Sequence, residues 1–136
     1  MKEVAIYLTF DGACREAMTF YAKCLGGELQ LVPFSQMPGE HPPEAKDRLM
    51  HARLAKGATL LMASDTMPGT PWRQGDNFSI SIQCESAHEI DTLFGSLSEG
   101  GKVTMPLADQ FWGARFGRLT DKFGIQWMLS FEHPKP

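Results

Sequence analysis

Leu25-Gly26-Gly27-Glu28-Leu29-Gln30-Leu31 returns in the second half of the chain as Glu99-Gly100-Gly101-Lys102-Val103-Thr104-Met105. Each is a glycine pair followed by an alternating run, the pattern of a helix that stops and a strand that begins. Upstream of each pair lies an amphipathic stretch, with Ala17, Phe20, Tyr21 and Cys24 in the first half and Ile90, Leu93, Phe94 and Leu97 in the second. Their spacing near i, i+3, i+4, i+7 predicts one buried helical face in each. Ser86, with Glu89 three residues on, supplies an N-cap for the second helix. Strand patterns precede the helices at residues 4–10 and 78–84, and three more follow each, at 28–34, 48–55 and 59–63, then at 102–107, 115–120 and 125–131. Each half therefore reads β-α-β-β-β. The fold class is α+β, a single domain over 1–136 built of two βαβββ modules, about 1–66 and about 77–136, joined by a Pro/Gly-rich linker.

A chain of 136 residues is long enough to bury most of its apolar surface in one domain. Sixteen acidic against thirteen basic side chains give a net charge of −3 without a basic run, so no nucleic acid is expected as a partner. The apolar run at residues 4–10 is too short for a signal peptide or a membrane span, and no later stretch is long enough either, which predicts a cytoplasmic protein with no membrane partner. Cys14, Cys24 and Cys84 are an odd set without CxxC spacing, consistent with reduced thiols. Cys14 and Cys24 lie on or near the helical face, where a small hydrophobe outweighs a nucleophile.

Chemistry concentrates in Phe111-Trp112-Gly113-Ala114-Arg115-Phe116-Gly117 and the hairpin after it. Asp121 to Gly124 is polar and ends in glycine, which lets residues 115–120 turn back into 125–131, and the Asp and Gly there read as structural. Trp112 and Arg115 stand where a sheet opens to solvent, so the ring reads equally as a ligand contact or as a core or interface residue, and the cation as a ligand anchor or a surface pair. Alternation groups Ala5, Tyr7 and Thr9, then Ser79, Ser81 and Gln83, then Gln126, Met128 and Ser130 on small or polar faces, opposite Ile6, Leu8, Ile80, Ile82, Trp127 and Leu129. His51, sharing a face with Leu49 and Arg53, either ties down a neighbouring loop or serves as acid, base or hydrogen-bond donor. Two loops, 35–43 and 65–72, share Met-Pro-Gly and read as connectors or lids. Neither GxGxxG nor GxxxxGK[ST] follows a strand, and no GxSxG elbow is present, so no nucleotide or S-adenosylmethionine cofactor is expected.

The tandem module resembles the vicinal oxygen chelate superfamily, which includes glyoxalase I, the extradiol dioxygenases and the fosfomycin- and bleomycin-resistance proteins. Tyr7-Leu8-Thr9-Phe10-Asp11-Gly12, Cys14-Arg15-Glu16-Ala17-Met18, Phe20-Tyr21, His51-Ala52-Arg53-Leu54 and residues 100–117 are similar to the PhnB-like branch, also labelled demethylubiquinone methyltransferase-like. The resemblance implies curved mixed sheets whose concave faces form cups, and it spans nearly the whole chain. It does not define a reaction. In the metal-using members four ligands project into the cup. Carried over by the resemblance, those positions fall on Ala5, Leu61, Ser79 and Met128, none of which suits a divalent ion, so no metal is expected.

The reading that follows is a glyoxalase-like protein of undefined activity, binding a small molecule in its cup without a metal or cofactor. Phe111 and Trp112 would stack on the ligand, Arg115 would orient an anionic or carbonyl group, and Tyr7, His51, Ser79 and Gln126 would donate or accept hydrogen bonds. The resemblance also implies a homodimer. The alternatives are a metal-dependent or His51-based isomerase, lyase or dioxygenase, and a protein-interaction module.

Overall fold

The computed structural model describes residues 1–135. The chain divides into two compact units, Met1–Arg73 and Gln74–Pro136. In the first, β1 (Ile6–Phe10) leads into α1 (Cys14–Leu25), followed by β2 (Glu28–Pro33), β3 (Leu49–Lys56) and β4 (Thr59–Asp65). In the second, β5 (Ile80–Gln83), α2 (Ala87–Ser98), β6 (Lys102–Asp109), β7 (Ala114–Thr120) and β8 (Gln126–Glu132) repeat that order. The strand order is β1-β4-β3-β2 in one sheet and β5-β8-β7-β6 in the other. In each sheet the first and last strands of the module run parallel, and the remaining neighbours antiparallel. This is the tandem βαβββ architecture that the glycine-pair repeat predicts.

The glycine pairs recur because backbone must approach backbone there. A Cβ on Gly27, whose φ is +102°, would lie 2.7 Å from the Ala55 carbonyl oxygen of β3, and one on Gly101 would collide with the Thr120 carbonyl of β7. Each second glycine thus seats the start of its strand against the equivalent neighbour in its own unit. Ser86 caps α2 as expected, its Oγ accepting the Glu89 N–H at 3.0 Å, while the Glu89 carboxylate accepts the Glu85 N–H at 2.9 Å.

The start of α1 is held differently. Its N-cap residue, Ala13, offers no side-chain acceptor. Asp65, buried at the end of β4, does this instead: Oδ1 accepts the N–H groups of Gly12 and Cys14 at 2.8 and 3.0 Å, and Oδ2 accepts that of Leu49 at 2.9 Å. One carboxylate ties the helix start to the opening of β3, where the helix dipole also favours negative charge. Beside it Arg48 donates to Asp11, the Thr66 carbonyl and the Thr66 hydroxyl at 2.8 to 3.1 Å. Asp121 has the matching structural task in the second unit: Oδ1 accepts the N–H groups of Phe123 and Ile125, and Oδ2 accepts the Trp127 indole N–H at 2.8 Å.

Helix α1 buries Cys14, Ala17, Met18 and Tyr21 against its sheet, with Leu8, Phe10, Leu54, Leu61 and Ala63 beneath. This stripe replaces the expected one in part, since Cys14 and Met18 face inward and Phe20 and Cys24 are half-buried. Helix α2 buries Ile90, Phe94 and Leu97 over Ile80, Leu119, Trp127 and Leu129. It packs so close to β7 that a Cβ on Gly117 would meet the Phe94 ring at 2.7 Å.

Two face assignments change. Leu49 does not share the face of His51: the pairing slips between Val32 and Pro33, leaving Pro33 opposite Leu49, and the Leu49 side chain turns into the core. Leu61 is fully inside and faces the helix, so the strand position on the opposite face is Met62.

Candidate functional site: the open sheet faces

With one face of each sheet beneath its helix, alternation assigns the other face. In the first unit it carries Tyr7 and Thr9 from β1, Met62 and Ser64 from β4, His51 and Arg53 from β3, and Gln30 and Val32 from β2. Register aligns Tyr7, Met62, Arg53 and Gln30 into one row across the four strands. Tyr7 is 48 % exposed and reaches over β4 to His51, with its hydroxyl 3.1 Å from Nδ1 and the two rings stacked at 5.8 Å. The bond occupies Nδ1, and His51 Nε2 has no partner among the described residues. The loop after β4 returns along the edge strand, where Trp72 donates its indole N–H to the Thr9 carbonyl at 3.0 Å.

In the second unit the corresponding row is Ser81, Met128, Arg118 and Met105. Arg118 donates to Ser79 Oγ at 3.4 Å. Gln126 spends its side-chain N–H groups on the backbone carbonyls of Asp76 and Phe78, both at 2.7 Å, and so pins the segment leading into β5. At the β6–β7 tip, Trp112 meets Phe116 edge-on at 5.8 Å, and Phe111, 97 % exposed, meets Trp112 edge-on at 5.1 Å. The tip is a tight turn in which Gly113 takes φ +91° and its N–H bonds the Gln110 carbonyl.

Of the residues singled out from the sequence, Tyr7 and His51 come together in the first unit. Ser79, Gln126, Phe111 and Trp112 belong to the second. Arg115 is the correction. Its Nε donates to Asp91 of α2 at 2.9 Å, so its side chain lies on the helix side of β7, away from the open face. The arginines that alternation sends to the open faces are Arg53 and Arg118, which the sequence reading did not select. Gly117 was the available signal: a mid-strand glycine marks close approach by a packed element, and Arg115 shares its parity.

The metal positions implied by the superfamily do not fit an ion. Ala5 and Met128 offer no hard donor, Leu61 faces the core, and the Ser79 hydroxyl is held by Arg118. Among the described residues no group of three or more His, Cys, Asp or Glu side chains is arranged around a common point. No disulfide joins Cys14 or Cys84. Burial pushes the Cys14 thiol up to about 12, with the Asp65 charge adding to it, and burial followed by the Glu89 charge raises Cys84 to about 11. Both are poor thiolates, as expected of small core hydrophobes. His133 Nε2 lies 2.6 Å from Asp109 Oδ1 at the end of β6, and His41 Nε2 lies 2.7 Å from the Met37 carbonyl, so each serves a local contact.

Comparison with known proteins gives a consistent picture. The family model described as 3-demethylubiquinone-9 3-methyltransferase matches residues 2–130. Protein PA1353 from Pseudomonas aeruginosa is 44 % identical, with TM-score 0.90 over 98 % of this chain and 100 % of that one. A putative 3-demethylubiquinone-9 3-methyltransferase, PhnB protein, from Bacillus cereus is 27 % identical, with TM-score 0.76 over 96 % of this chain and 99 % of that one. A glyoxylase/bleomycin resistance protein/dioxygenase domain from Frankia sp. EAN1pec shares the fold at 16 % identity, with TM-score 0.66 over 100 % and 96 % of the two chains.

Proposed function

Since the chain belongs to the family described as 3-demethylubiquinone-9 3-methyltransferase, the PhnB-like branch of the glyoxalase/bleomycin-resistance superfamily, we propose that it is a small-molecule-binding protein using its open sheet faces without a metal. The observation that carries this reading is the Tyr7–His51 pair, hydrogen-bonded, stacked and accessible on a face that also bears Met62 and Arg53. A face that sets Met62, Val32 and the Tyr7 ring among a few directed polar groups can hold a ligand with both apolar and polar parts. The aromatic tip, Phe111 and Trp112, adds stacking area in the second unit. Methyl transfer is not carried over from the family description, because neither helix begins in a glycine-rich strand-to-helix turn that would cradle S-adenosylmethionine. The metal-dependent alternative is not favoured by the donor set at the superfamily positions.

The test is a thermal-shift screen of wild type, His51→Gln and Trp112→Ala against metabolites, quinones and antibiotics. A ligand at a hundredfold excess over its Kd stabilises the native state by about 2.7 kcal/mol. The proposal expects at least one such hit, reduced by one of the two substitutions. A library without hits refutes it, and a hit indifferent to both removes these faces from the site. Turnover of a hit that His51→Gln abolishes, with folding intact, would turn the binding site into an active site.

We also propose a cytoplasmic homodimer. Edge strands β1 and β5 lie beside exposed Val4, Ile6 and Phe78, an arrangement that a second copy would cover. The buried thiols of Cys14 and Cys84 suit a reducing compartment, and among the described residues no helix is long and apolar enough to cross a membrane. Light scattering at micromolar concentration should return twice the chain mass of 15.1 kDa, and a monomer mass throughout would overturn the dimer.

A further inference from the structure

Of the six arginines, Arg15 lies on α1 and Arg73 in the loop after β4, and the other four fall into two groups by environment. Arg48 and Arg115 each meet a carboxylate, Asp11 at 2.8 Å and Asp91 at 2.9 Å. Arg53 and Arg118 stand on the open faces, and neither has a carboxylate partner among the described residues. Among the described residues the Arg118 side chain reaches only the Ser79 hydroxyl, and the Arg53 side chain makes no hydrogen bond or ion pair. Glu28, the carboxylate on the same face of β2, stands opposite Ala55 and makes no ion pair with Arg53.

The two positions are equivalent. Arg53 pairs across β3–β4 with Met62, which pairs with Tyr7 of β1. Arg118 pairs across β7–β8 with Met128, which pairs with Ser81 of β5. The repeat thus keeps a guanidinium beside a methionine at one register position of each module, though the strands around it differ in sequence. A guanidinium presents parallel N–H donors that match carboxylate or phosphoryl oxygens, and a thioether supplies an adaptable apolar contact next to it. In the first unit the row continues to the Tyr7–His51 pair, where a planar apolar body can lie against the rings and a polar substituent can meet His51 Nε2.

We propose that Arg53 and Arg118 each anchor the anionic group of a small organic acid, a carboxylate or phosphoryl compound with an apolar body, on the open face of its unit. This rests on the reading of the protein as a small-molecule binder and adds to it the charge class of the ligand and the residue that selects it.

The test is a titration of the 15N-labelled full chain with phenylphosphonate, benzoate and the neutral benzamide. The two anions are expected to move the amide signals of Tyr7, Arg53 and Met62, and those of Ser81, Arg118 and Met128, and to bind about tenfold or more tightly than benzamide, weakening as salt is raised. Arg53→Gln should cost the anions about tenfold at the first set of signals and leave the second set and benzamide unchanged, with Arg118→Gln doing the reverse. Arg53→Lys, which keeps the charge and loses the fork, should fall between. Retained signal dispersion in each variant establishes folding. Benzamide binding as well as the anions, or anion affinity unmoved by both glutamine variants, overturns the inference while leaving the binding reading in place. No shift with any of the three probes also overturns it, and the library screen then decides the binding reading separately.

Discussion

Replacement of Asp65 should lower the melting temperature markedly, although the residue lies on no exposed surface. It is 4 % exposed and its two oxygens accept three backbone N–H groups, from Gly12, Cys14 and Leu49, at 2.8 to 3.0 Å. Alanine removes every acceptor and strands three donors. A buried donor left unsatisfied costs about 1–3 kcal/mol, so with partial relaxation and water entry the expected loss is about 3–5 kcal/mol. Asparagine keeps one oxygen. If that oxygen stays with Gly12 and Cys14, its amide N–H₂ faces the Leu49 N–H, donor against donor, for a loss of about 1.5–3 kcal/mol. At this chain length 1 kcal/mol corresponds to about 3–4 °C in Tm, giving a drop of about 9–20 °C for Asp65→Ala and roughly half that for Asp65→Asn. Scanning calorimetry or far-UV circular dichroism reads the change in Tm. Asp91→Ala, which breaks only the surface pair with Arg115, is the control and should move Tm by no more than about 2 °C. If Asp65→Ala unfolds within about 2 °C of wild type, the assignment of Asp65 as the bolt between α1 and β3 is wrong.

Gly117→Ala should cost about 1–3 kcal/mol in urea denaturation, because its Cβ would sit 2.7 Å from the Phe94 ring, and Gly113→Ala, which meets no neighbour but holds φ +91°, should cost about 1 kcal/mol through backbone strain alone. Trp127→Phe loses the 2.8 Å bond to Asp121 and should destabilise by about 1–3 kcal/mol, with Asp121→Asn in that background adding less than it does alone. Stability should also fall with alkalinity: between the ordinary thiol value of 9.0 and the raised values of about 12 for Cys14 and about 11 for Cys84, the unfolded chain releases protons that the folded chain keeps. Denaturation midpoints measured on either side of pH 9 should therefore decline, and Cys14→Ala should flatten the decline; an unchanged slope would contradict it. In the native state Ellman's reagent should leave Cys14 and Cys84 unmodified and react with them only on unfolding.

Features were legible in the sequence wherever the cause is local. The Ser86 cap and the Asp121 to Gly124 turn are written within five residues, and the glycine pairs advertise a backbone approach that no other residue permits. The cap of α1 was not legible, because its acceptor arrives from the end of β4, far from Ala13 in sequence. Strand alternation gave the parity of β1, β5 and β8 correctly, since each sets small or polar residues against Leu8, Ile80 and Trp127. It failed on β3 where a slipped pair turns Leu49 inward. On β7 both parities carry an arginine and an aromatic or aliphatic residue, so hydrophobicity alone cannot say which faces the helix. Gly117 can. A strand that gives up a side chain in its middle does so for something pressing on it, here Phe94, and Arg115, two residues away on the same face, must then share that side with Asp91. The remaining parity, Phe116 and Arg118, is the one left open. Applied to the first unit, the same argument turns on Ala52, whose small buried side chain occupies the helix side of β3 between the bulge and Leu54. His51 and Arg53, flanking it, are thereby both directed to the face where Tyr7 is found.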